Sequence, residues 1–158
     1  MTVRDRKKQL ISEIVLKDAD AKAGMKLMRS SSLFILLSRF ALLIYEAIYL
    51  STIGLSAEIL SYVFFALGIV GCYMIYDGNK GICTALFIAA AIRILYHLTT
   101  LLPLLPVGIG ATVFTVVNLA VLLTQAVLSI IPSLDKKCTA YANAMQKINL
   151  RLQGEIKR

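Results

Sequence analysis

A chain of 158 residues with 58% hydrophobic and only 16% charged side chains, at a mean hydropathy of +0.77, is too apolar for an ordinary soluble domain. Its net charge of +8 sits mainly at the two ends: residues 1–32 hold eight Lys/Arg and residues 132–158 hold six, 14 of the 17 in the chain. Basic ends around an apolar body point to anionic lipid headgroups at the cytoplasmic face of a bilayer, not to nucleic acid.

The first element expected is a helix over residues 3–29, with an apolar stripe at Leu10, Ile11, Ile14, Val15, Ala21, Met25 and Met28 against a mixed-charge face. It reads as an interfacial or partner-binding helix, or as a charged tail that is only partly helical. The first apolar run begins after it, near Ser32, too far in and too long for the core of a secretory signal.

Four membrane spans follow, at about 33–53, 59–76, 82–102 and 111–131. Span one carries Arg39 and Glu46, seven apart and therefore on one face. Span two has no charge and a contact face of Ser61, Phe64 or Phe65, Gly68 and Cys72, the pattern of a packing helix. Asp77-Gly78-Asn79-Lys80-Gly81 is a turn by composition. Span three places Arg93 and His97 four residues apart, with Ala85 and Ala89 continuing the same line, and Pro103 and Pro106 end it. Span four has a polar stripe of Thr115, Asn118, Leu122, Gln125 and Ser129, and Pro132 is expected to kink or end it. In the last segment, 132–158, Tyr141, Met145, Ile148 and Leu152 recur at helical spacing. That face should meet the N-terminal helix, another subunit or the membrane surface.

Four spans put both basic tails and the Lys80 turn on one side, so the positive-inside rule makes both termini cytoplasmic. A bacterial inner membrane is the starting expectation. The chain is thus expected to be all-α: an integral membrane four-helix bundle (33–131) with amphipathic N- and C-terminal cytoplasmic helices (1–32 and 132–158). At about 1.5 Å per residue from the cytoplasmic ends, Arg39 and Gln125 lie roughly 9 Å deep, Glu46 and Asn118 roughly 20 Å, and Arg93 and His97 roughly 17 and 23 Å. Glu46 should pair with Arg93 or His97, with Asn118 satisfying a remaining donor or acceptor and Arg39 with Gln125 forming a second level.

Two functional readings of these six residues stand side by side. One is a closed polar network that fixes helix register in a non-enzymatic subunit, scaffold or accessory factor of a membrane complex. The other is a conduction path for protons, ions or a small polar solute in a small oligomeric channel or transporter. Either way a homo-oligomer or a larger membrane complex is expected. An enzyme has least support, for the sequence has one histidine, no glycine-rich phosphate loop and no CxxC. No metal or cofactor is expected. An odd count of three cysteines argues against a disulfide framework, so Cys72 and Cys83 read as small packing residues, with a redox pair as the alternative.

Overall fold

The computed structural model describes residues 2–52, 54, 59–100 and 109–156, and among them the protein is helical with no strand. Helix α1, Val3–Leu10, opens on a capping box: Asp5 donates its backbone N–H to Thr2 Oγ1 at 3.2 Å, and Thr2 N–H returns to Asp5 Oδ2 at 3.3 Å. Instead of running to residue 29, the helix widens into a π-helical turn at Ile11–Val15, closed by Leu16 N–H on the Ile11 carbonyl, and stops. The break at residues 16–18 has a local cause. Asp18 caps the next helix, its Oδ1 accepting from Asp20 and Ala21 N–H at 2.9 and 3.1 Å.

Helix α2, Ala19–Thr52, is a single rod of 34 residues that passes without interruption through the boundary drawn at residue 32. Its buried side is one stripe, Ala21, Gly24, Met28, Ser32, Ile35, Leu42 and Glu46. Helix α3, Ile59–Tyr76, ends in a Schellman motif: Asn79 N–H bonds the Met74 carbonyl and Gly78 N–H the Ile75 carbonyl, both at 2.9 Å, with Gly78 at φ 93°. Helix α4, Lys80–Thr100, buries Cys83, Leu86 and Ala90. Ala85 is exposed, so the packing line lies one residue round from the alanine stripe expected. Helix α5, Ile109–Leu134, runs through Pro132, which is buried, and ends only at Asp135. Asp135 then caps helix α6, Lys136–Ile156, by accepting from Lys137 N–H at 2.6 Å.

Two layers result. α2, α3, α4 and α5 pack side by side, while α1 and the start of α2 run antiparallel to α6, as Arg6 meets Glu155 at one end and Gly24 meets Cys138 at the other. A Cβ on Gly24 would fall on the Lys137 carbonyl, so glycine is what lets the two backbones touch. The main hydrophobic core lies where the layers join, with Leu10, Val15, Met28, Cys72, Ile75 and Cys83 against Tyr141, Met145 and Ile148. α2 and α5 are long and apolar enough to cross a membrane, and α3 has a shorter apolar run, Tyr62–Tyr76.

Candidate functional site

The polar side chains of the apolar layer converge on the middle of α2. Glu46 lies on the buried stripe, its side chain 7% exposed, and accepts from Arg93 Nη2 of α4 at 2.8 Å. Arg93 reaches it as the next residue of the packing line Cys83, Leu86 and Ala90, and its side chain keeps 22% exposure. One turn pair earlier on α2, Arg39 crosses to α3 and donates through Nη1 to the Phe64 carbonyl at 3.2 Å. It lies in the gap left by Gly68, where a Cβ would meet the guanidinium. Arg39, Leu43, Glu46, Phe65 and Arg93 line a small cavity of about 10 Å³. Above them Tyr49 and Tyr45 stack on Phe114 of α5, with ring centroids 4.1 and 5.6 Å apart.

The α5 stripe Thr115, Asn118, Leu122, Gln125 and Ser129 is buried throughout, but it joins this cluster less than expected. Asn118 turns its amide N–H to the Phe114 carbonyl at 3.0 Å instead of to the Glu46–Arg93 pair, and Thr115 and Ser129 likewise bond carbonyls four residues back. An i−4 carbonyl on the same helix is always within reach of such side chains, which is why they close locally. Asn118 Oδ1, Gln125 Nε2 and Arg39 Nε are buried without a partner, so the expected second level of Arg39 with Gln125 is not made as a hydrogen bond. The side chain of His97 lies outside the described residues.

Tyr141, Met145, Ile148 and Leu152 are all buried within the chain, in one cluster with residues of α1 and the N-terminal part of α2. Tyr141 donates its hydroxyl to the Tyr76 carbonyl at 3.0 Å, and burial pushes that phenol up from its ordinary pKa. Cys138 is fully buried at the Gly24 contact, where burial and nearby Asp135 push its thiol up to about 11. Two ion pairs tie the layer down: Lys7 to Asp77 at 2.6 Å and the exposed Arg6–Glu155 pair at 2.8 Å, which holds the Glu155 carboxyl below the ordinary carboxylate range.

A second cavity, of about 520 Å³, opens between the α3–α4 turn and the flank of α6, lined by Tyr73, Asn79, Asn143, Gln146, Asn149 and Gln153 among others. Sequence reasoning followed only the apolar stripe of α6 and missed this one. The signal was there, as carboxamides at 143, 146, 149 and 153 with Lys147 and Arg151 the only charges among them. Lys80, at the mouth, is taken up by Thr139 Oγ1 at 2.6 Å. Comparison with protein-family models, with curated proteins and with solved structures finds no match for this chain.

Proposed function

We propose that this chain is a four-pass integral membrane protein with both ends cytoplasmic, acting as a non-enzymatic subunit or scaffold of a membrane complex. The observation that carries the reading is the inverted distribution of side chains along α2 to α5. Phe34, Phe40, Ile48, Leu67, Ile92, Leu95 and Val116 are exposed, while Glu46, Asn118, Gln125 and Ser129 are buried. Only 17% of the most apolar stretch of α2 and 39% of that of α5 is buried, whereas the core helix of a soluble protein would be mostly enclosed. Lipid is the solvent in which apolar outside and polar inside is the lower free energy. The turn at Asp77–Lys80 is bonded to α1 through Lys7 and to α6 through Thr139, which supports putting all three basic segments on one side.

The subunit reading draws on the two cavities. The ion pair of Glu46 with Arg93 borders a space of only about 10 Å³, which suits fixing helix register, while the open groove of about 520 Å³ on the basic side is where a partner chain would seat. A small oligomeric channel is the second reading, favoured by Asn118 Oδ1 and Gln125 Nε2, buried polar atoms without partners that a water-filled path would satisfy.

The topology is tested with G54C, G81C and G154C in a background lacking the native cysteines, labelled from either side of sealed vesicles. Residue 54 should react from the outer side only and residues 81 and 154 from the cytoplasmic side only. Reaction of residue 54 from the cytoplasmic side overturns the four-pass arrangement. Light scattering on the gently solubilised protein then separates the roles: a stoichiometric second polypeptide supports the subunit, and a symmetric homo-oligomer with ion flux in liposomes supports the channel.

A further inference from the structure

The groove beside α6 sorts its polar groups by kind. Two lining residues carry charge, one of each sign, and each is already bonded: Asp77 accepts from Lys7 at 2.6 Å and Lys80 donates to Thr139 at 2.6 Å. Lys147 and Arg151 of α6 fall outside the lining. What remains is five carboxamides, Asn79 on the turn and Asn143, Gln146, Asn149 and Gln153 along α6. All five are exposed, and among the described residues no hydrogen bond within the protein engages their side chains. Asparagine is a poor helix former, and Lys, Glu or Arg would cover a merely wetted helix face at lower cost, so the needs of α6 itself do not account for Asn143 and Asn149.

We propose that this groove holds an extended, uncharged segment of a partner polypeptide by its main chain. The proposal rests on the reading that a partner chain seats here, and names the part of that chain which does so. A carboxamide carries a carbonyl acceptor and an N–H donor on one planar group, so it can meet the N–H and the C=O of a peptide at once. From Asn143 to Gln153 the ladder runs about 15 Å at the helical rise, the length of roughly four to five residues of extended chain. A linear ladder suits a linear ligand better than it suits a compact headgroup. Tyr73 and Leu150, 67% and 61% exposed, border the same groove and give apolar seats to the alternate side chains of such a segment. Because both charges of the lining are already bonded, the groove has no unbonded cation for a phosphate and no spare carboxylate for a basic peptide.

The test selects a phage-displayed library of random peptides on the full-length protein, held in a detergent without a sugar headgroup, with Q146A/N149A as the counter-target, and measures the recovered peptides by fluorescence anisotropy. Both substituted side chains are exposed and alanine is the better helix former, so the melting temperature should not fall. Peptides poor in charge are expected, with an affinity insensitive to salt. Binding should weaken roughly tenfold or more in Q146A/N149A, and as much on N-methylation of a single backbone amide, which removes a donor and leaves every side chain unchanged. Recovery of no peptide that tells the parent from Q146A/N149A overturns the proposal, as does binding that survives N-methylation at every position or falls away with salt. Saturable binding of a neutral sugar-headgroup lipid that is lost in Q146A/N149A, with no peptide bound, overturns it too. A second polypeptide that co-purifies equally with the parent and with Q146A/N149A shows that the partner seats elsewhere: the subunit reading then stands and this proposal falls.

Discussion

Replacing Glu46 with Gln removes the one carboxylate of the polar cluster and leaves Arg39 and Arg93 facing each other across the cavity. Removing one partner of a fully buried ion pair costs roughly 3–5 kcal/mol. Glu46 is 7% exposed but Arg93 keeps 22%, so solvent screens part of the loss and the expected cost is about 2–3 kcal/mol. For a chain of this size each kcal/mol moves the melting temperature by roughly 2–4 °C, which puts E46Q about 4–12 °C below the parent. The protein supplies its own reporter: Cys72, Cys83 and Cys138 are 2%, 0% and 0% exposed, so a thiol-reactive fluorophore in detergent lights up only as the helices part. The double variant E46L/R93L exchanges the pair for matched apolar side chains and should recover most of the loss. A melting temperature for E46Q within about 1 °C of the parent, or a double variant no more stable than E46Q, would refute the pairing argument.

G24L should separate α6 from α2, because its side chain would displace the Lys137 carbonyl; even G24A, which gains about 1 kcal/mol of helix propensity, should melt lower by circular dichroism, since overpacking costs typically 1–3 kcal/mol. With its thiol at about 11 instead of the usual 9.0, Cys138 presents roughly a hundredfold less thiolate at pH 8 than a free cysteine, and alkylation followed by mass spectrometry should find it unmodified in the folded protein. A raised thiol pKa favours the folded state fully below about 9 and loses that contribution as the pH climbs towards 11, so the parent should lose more thermal stability than C138A between pH 8 and pH 10.5. R6A should leave the melting temperature unchanged, because the Arg6–Glu155 pair is exposed and water screens it.

The parts of the fold legible in the sequence were those with strong periodicity. The α5 stripe and the α6 stripe are buried as their spacing implies, since polar or apolar residues repeating every three to four positions can lie only on one side of a helix. Partnership was harder to read. Equal depth along a helix axis brought Glu46 and Arg93 together as reckoned, but the same ruler matched Glu46 with Asn118 and Arg39 with Gln125, where the side chains turn to other atoms. Depth says nothing of rotation about the axis, and a carbonyl on the residue's own helix competes with any neighbour. Local cap chemistry also escaped notice: Asp18 and Asp135 each begin a helix by their side-chain oxygen, where one helix over residues 3–29 and a kink or end at Pro132 were expected.

The uninterrupted course of α2 carries two distant contacts on one helix. Gly24 and Glu46 are 22 positions apart on one rod, about 33 Å at the rise of an α-helix. With no break between them, the contact of Gly24 with the Lys137 carbonyl and that of Glu46 with Arg93 are set on one helix, in one rotational frame. Changing the register of α2 against α6 and changing it against α4 are therefore one structural choice, not two.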